Sequence, residues 1–237
     1  MKHKAVICIM VFLVCLAGRF FISCDNVDAT ANVLEIDTAT VDSLFADYDL
    51  VQGPGACVLI IYQGDVVFSK GYGLADLSVE TPISIETNFR LASISKQFTA
   101  MCIMILNSRG QLDFDQKLTD FFLDFPSYGN TISIRHMLHH TSGLLDYFGL
   151  IPDTVTQQLR DQDVMDLMMA QNSTYFTPGT QYRYSNSGYA LLALVVERIS
   201  GQSFANFLHE NIFLPLEMNG TVAVSYTHLR AHETLRY

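Results

Sequence analysis

The chain has 237 residues, 49% hydrophobic and 16% charged, which excludes a disordered polypeptide and is enough for one sizeable domain with a real core. Its formal net charge of −10 argues against nucleic acid as a partner, because a phosphate backbone is held by a surplus of Lys and Arg. No internal repeat and no low-complexity segment interrupts it.

Residues 1–24 read as a leader. Lys2, His3 and Lys4 make a basic start, and residues 5–18 form an apolar run of signal-peptide length, shorter than the roughly 20 residues a membrane-spanning helix needs. Arg19 then interrupts the apolar stretch, which weighs against a retained anchor. Phe21-Ile22-Ser23-Cys24 places a small residue before a Cys, which resembles a bacterial lipoprotein cleavage site with Cys24 as the lipidated residue; simple secretion is the alternative. The expectation is an exported protein, periplasmic or in the cell envelope, with membrane attachment through Cys24. Removing the leader takes away Lys2, Lys4 and Arg19 and leaves a body more acidic still. Of the five cysteines, only Cys57 and Cys102 follow the leader, both in apolar runs, and both are expected to be buried free thiols, with a disulfide outside the cytoplasm as the alternative.

Residues 25–37 form a linker, mostly polar. A short helix is predicted over 41–50, with Asp42 and Ser43 near its start, broken by Gly53-Pro54-Gly55. Residues 56–62 and 66–72 are β-rich runs joined by Gln63-Gly64-Asp65, a hairpin signal. A polar loop follows over 75–88. From 89 to 106 the period changes: Ile94, Phe98, Met101, Cys102 and Ile105 fall at helical spacing and predict a buried helix. Further helices are predicted over 118–123, 132–140, 161–171, 188–199 (closed by Gly201) and 203–212, with a turn at Pro178-Gly179. Strands first and helices after predict an α+β domain whose sheet is incomplete in these residues. Two strands alone are marginal.

Ser93-Ile94-Ser95-Lys96 carries the central chemistry. On a helix, positions i and i+3 share a face, so Ser93 sits in the first turn with Lys96 one turn on. The helix N-terminus favours negative charge developing on the Ser oxygen, and the amine lies close enough to take or relay the hydroxyl proton. A Ser cap followed by a solvated Lys is the plainer reading. Against it, this is the one Ser-x-x-Lys in the chain, and Lys96 is one of three lysines after the leader, set in an apolar helix. Tyr184-Ser185-Asn186 precedes the helix predicted from Gly188. A phenol near a cationic Lys ionises more easily and can act as a base, and an Asn amide can hold both a Lys and a substrate amide. Tyr128-Gly129-Asn130 has the same spacing but lies in a Pro- and Gly-flanked loop, and is set aside. His136, His139 and His140 at i, i+3, i+4 could ligate zinc, but no Glu stands in a His-Glu-x-x-His arrangement, so a helix-end and turn role is expected. No cofactor and no metal ion is expected.

Four segments occur in one order: Phe89 to Ala100 around Ser93 and Lys96; Leu138-His139-His140-Thr141-Ser142-Gly143-Leu144; Pro178-Gly179 through Tyr184-Ser185-Asn186-Ser187-Gly188-Tyr189; and Phe213-Leu214-Pro215-Leu216-Glu217-Met218. Together they resemble the class C β-lactamase-like serine hydrolases of the penicillin-binding and DD-peptidase superfamily, from about residue 38 to 222, with Glu217 where Gly is usual. The resemblance implies a domain over 38–223 with an antiparallel sheet flanked by helices and a helical subdomain, an acyl-enzyme on Ser93, Lys96 as its proton acceptor, Tyr184 as second base, Asn186 as the substrate-positioning amide, and the Ser93 N–H as one oxyanion donor. Tyr184 fits the class C-like branch, since class A enzymes use a Ser-Asp-Asn segment. The implied substrates are D-amino-acid peptides or small esters first and β-lactams second; a non-hydrolysing penicillin-binding or sensor-like protein of the same fold is the alternative.

Residues 224–234 resemble the conceptual translation of a transposase sequencing adapter, which also accounts for the i, i+4 pair His228 and His232; residues 224–237 are accordingly expected to be an artefact, with the natural chain cut near Ala223. Nothing in the sequence matches the family's third motif, a Lys or His on a downstream strand ending in Gly. Losing an oxyanion donor costs about 3 kcal/mol in the barrier, so the expectation is that these 237 residues alone form an inactive and poorly stable fragment.

Overall fold

The computed structural model describes residues 36–50, 53–151 and 159–223. The leader, the linker up to residue 35 and the adapter-like tail lie outside the described residues. The described chain falls into two compact units, one ending at Arg90 and one beginning at Leu91. The architecture is α+β.

In the first unit, helix α1 spans Thr38–Leu44 and is followed by a 3-10 turn, Ala46–Tyr48. It starts earlier than the sequence predicts because Asp37 is the cap, its carboxylate accepting the N–H groups of Ala39 and Thr40. Asp42, the expected start, instead turns to Lys70 Nζ (2.6 Å) and Tyr72 Oη (2.7 Å). Strands β1 (Ala56–Tyr62) and β2 (Asp65–Tyr72) form the predicted antiparallel hairpin. Its loop is the pair Gln63-Gly64, both at positive φ (51° and 98°), as a two-residue primed turn requires; Asp65 belongs to the strand and pairs with Tyr62. The expected loop over 75–88 contains a second small antiparallel pair, β3 (Leu74–Asp76) and β4 (Thr81–Pro82), too short to show a period in sequence. Tyr72 is buried and stacks on Phe45, centroids 5.3 Å apart.

The second unit is helical. Helix α2 is Lys96–Ser108, preceded by a 3-10 turn over Ala92–Ser95; the predicted helix therefore starts at 92, not 89. Its buried face is Thr99, Cys102, Ile103 and Leu106, rotated from the predicted set, and Met101 and Met104 face solvent. Short helices α3 (Leu118–Phe121) and α4 (Ile134–Leu138) follow, then α5 (Asp161–Met169), α6 (Asn186–Ser200) and α7 (Phe204–Leu208), which runs into a π-helical turn, His209–Phe213. Helix α6 is the axis of the unit: α2, α4, α5 and α7 all pack on it. Leu191, Leu192, Val195 and Val196 at i, i+1, i+4, i+5 give it a wide apolar face against Ile103, Leu106, Met137 and Met168. Ser185 caps α6 by accepting the Gly188 N–H at 3.0 Å, and Gly201 ends it in the left-handed conformation, φ 69°. Both thiols are free. Cys102 is buried, as predicted, and burial pushes it up to about 12, whereas Cys57 is only half-buried.

Candidate active site

Ser93 sits in the 3-10 turn and Lys96 is the first residue of α2. With three residues per turn, i and i+3 eclipse, so the tight turn aligns these side chains better than an α-helix would. Lys96 Nζ donates to Ser93 Oγ at 3.3 Å. The turn is entered sharply: Ala92 takes φ 46°, a left-handed conformation uncommon for a residue with a Cβ, and its carbonyl accepts the Ser95 hydroxyl at 2.6 Å.

Tyr184 and Asn186 come from the other side of the unit, at the entry to α6. Asn186 is its first residue, and Oδ1 accepts from Lys96 Nζ at 2.8 Å. Tyr184 Oη donates to Ser93 Oγ at 2.7 Å. The turn after α4 holds this entry in place. The carbonyls of His140, Thr141 and Gly143 accept the N–H groups of Arg183 (2.9 Å), Gly179 (2.8 Å) and Tyr175 (2.7 Å). Gly143 has φ 68°, and a Cβ there would stand 2.5 Å from the Phe176 carbonyl oxygen, so the turn closes only with glycine. Residues 138–144 and 178–186, separate motifs in sequence, are thus two sides of one scaffold.

Lys96 lies between two aromatic rings, with Nζ 4.9 Å from the centroid of Tyr184 and 5.6 Å from that of Tyr189. Burial opposes ionisation of the Tyr184 phenol. The hydrogen bonds it shares with Lys96 and with Ser93, and the Lys96 charge, together outweigh that and hold it below the ordinary tyrosine value. All four residues singled out in the sequence, Ser93, Lys96, Tyr184 and Asn186, therefore converge: a hydroxyl within reach of a phenol and an amine, and an amide on the amine. The phenol oxygen lies nearer Ser93 Oγ than the amine does. Such a cluster can deprotonate a serine and direct it at a carbonyl.

A family model described as Beta-lactamase matches residues 41–234. The chain belongs to this family. Penicillin-binding protein 4* of Bacillus subtilis (strain 168) is 39% identical over 167 residues, which is 69% of this chain and 37% of that protein. Among solved structures, the octameric penicillin-binding protein homologue from Pyrococcus abyssi superposes with a TM-score of 0.70 at 27% identity, over 84% of this chain and 47% of that one. D-amino acid amidase from Ochrobactrum anthropi SV3, complexed with L-phenylalanine, gives 0.64 at 25% identity, over 76% and 50%. The chain thus spans half or less of the length of each of these three relatives.

The remaining candidates of this β-lactamase-family chain have structural partners. Tyr128 donates its hydroxyl to the Met168 carbonyl at 2.6 Å and Asn130 accepts from Thr119 at 2.8 Å, so the second Tyr-x-Asn spacing is a packing element; a short helix does follow it, from Ile134. His136 turns Nδ1 to the Ser133 N–H (3.3 Å) in a capping box, and His140 turns Nδ1 to the Ser185 N–H (3.1 Å). His139 is exposed. Among the supports of the site that sequence reasoning missed are Ala92, Tyr189, whose hydroxyl donates to the Leu138 carbonyl at 3.1 Å, and buried Ser187. The Ser187 hydroxyl donates to the Leu145 carbonyl (2.6 Å) and accepts the Tyr147 N–H (3.0 Å). The sequence marks Ser187 and Tyr189 only by their place in the segment after Pro178-Gly179.

Proposed function

We propose that this is a serine hydrolase that works through an acyl-enzyme on Ser93. The observation that carries the reading is the Ser93 hydroxyl, which has Tyr184 Oη at 2.7 Å and Lys96 Nζ at 3.3 Å, with Lys96 itself held by Asn186. In the proposed reaction Tyr184, ionised beside Lys96, takes the Ser93 proton as Oγ attacks a carbonyl carbon. The bond to the leaving group then breaks, the leaving group takes up that proton, and an ester to Ser93 remains. Water attacks the ester, gives its proton back through the same phenol, and frees the acid and the serine. Lys96 keeps the phenol ionisable and relays the proton, while Asn186 fixes Lys96 and offers its remaining hydrogen-bonding capacity to a substrate amide.

For substrate class we propose a D-amino-acid peptide or amide or a small ester, with β-lactams second. A D-amino acid amidase among the relatives supports the amide reading, and a penicillin-binding protein among them keeps β-lactams on the list. We also propose export to the cell envelope, with lipidation at Cys24, on the strength of the leader.

Stopped-flow kinetics of the full-length protein with a chromogenic ester, a D-amino-acid anilide and a chromogenic β-lactam test the hydrolase reading. The expected result with at least one is a burst of about one leaving group per protein, followed by steady turnover. A stoichiometric burst with no turnover would instead make it an acylated sensor.

A further inference from the structure

His140 stands outside the reacting cluster yet holds Tyr184 on both flanks. Its carbonyl accepts the N–H of Arg183 and its Nδ1 accepts the N–H of Ser185, the residues on either side of Tyr184. Its ring also packs on the Tyr184 ring, centroids 4.5 Å apart and planes at 33°. His140 has φ 57°, so the turn is bent to present this side chain. Any residue could supply the carbonyl. Only a side chain with an acceptor one atom beyond Cγ can take the Ser185 N–H. Because the partner is a donor, Nδ1 must be bare and the ring proton must lie on Nε2.

We propose that His140 is a positioning residue that keeps the Tyr184 phenol on the Ser93 hydroxyl, and that it does so only while its Nδ1 is unprotonated. This rests on the hydrolase reading given above. Protonation would set an N–H against the Ser185 N–H and add a second cation facing Lys96. Among the described residues, the titratable and charged groups around the imidazole are Lys96 from the start of α2, His139 on its own turn, Tyr182 and Tyr184 from the segment entering α6, and Tyr189 on α6. Burial first, then the charges of Lys96 and His139, hold the imidazole below its ordinary value, so Nδ1 is bare at neutral pH and the clamp is released in acid.

Two variants of the full-length protein separate this role from a merely structural one. In His140→Asn, Oδ1 falls where Nδ1 was and Asn tolerates a left-handed φ, but the side chain does not titrate. His140→Ala removes the acceptor. The expected result is a loss in kcat of about tenfold to a hundredfold for Ala, the scale of a displaced catalytic group, with KM little changed. Asn should recover most of that rate, keep the limb that Tyr184 ionisation sets, and lose the separate acid limb expected below the ordinary histidine value. A folded Ala variant with the parent rate and pH profile would overturn the proposal, as would an Asn variant that keeps the acid limb at the parent midpoint. A third readout needs neither turnover nor a variant. Imidazole 15N shifts at neutral pH should show His140 protonated on Nε2 alone, and its titration should move the Tyr184 ring resonances with the same midpoint. A proton on Nδ1, or a Tyr184 ring indifferent to that titration, contradicts the proposal even where hydrolysis is intact. Should no substrate turn over, the hydrolase reading fails while the nitrogen shifts still decide the role of His140.

Discussion

Lys96→Met in the full-length protein is expected to slow acylation by about 10³-fold or more, the upper part of the range for a positioned proton-transfer group. The effect is large because one ammonium does three things. It touches Ser93 Oγ, it is held by Asn186, and it keeps the Tyr184 phenol below its ordinary value. Met fills a similar volume without charge or donors, so the apolar packing of α2 is kept. With Lys96 gone, burial is the main influence left on Tyr184, and the pH dependence of acylation should move upward. Single-turnover acylation followed against pH reads both effects. An unchanged rate would remove Lys96 from the chemistry.

Tyr184→Phe is expected to cost about 10²-fold to 10⁴-fold in kcat with little change in KM, because the phenol acts on the proton and not on ground-state binding. The sign of its pH effect follows from the base form. In the proposed reaction the phenolate is the proton acceptor, so the parent rate should climb with rising pH as Tyr184 ionises, with a midpoint below the ordinary 10. Phe should abolish that limb. The double variant Lys96→Met, Tyr184→Phe should be scarcely slower than the worse single one, since the two side chains serve the same proton. Simple multiplication of the two losses would mean that they act independently. A Phe variant that keeps both the rate and the limb would leave Lys96 as the sole acceptor.

What the sequence made legible was whatever is specified locally. The Ser93 and Lys96 spacing, the hairpin, and the glycine that closes α6 are short-range features, and each lies close to where it was expected. The start of α1 was misplaced because Asp42 looks like a cap but is drawn to Lys70, 28 residues away. The buried face of α2 was misread because Met101 and Met104 make its solvent side apolar too, so periodicity alone could not choose between neighbouring faces. His140 escaped notice as a support of the site for a related reason. Its partner Ser185 lies 45 residues on, and a left-handed φ at a histidine is imposed by tertiary contacts, not by any local signal.

The most direct measurement is to quench the full-length protein in acid during turnover, digest it and map the adduct by tandem mass spectrometry. The account predicts the acyl mass on Ser93 itself, resolved from Ser95 two residues away, and absent from a Ser93→Ala variant. Hydrolysis that proceeds with no adduct at Ser93, or with the adduct on another residue, would contradict it.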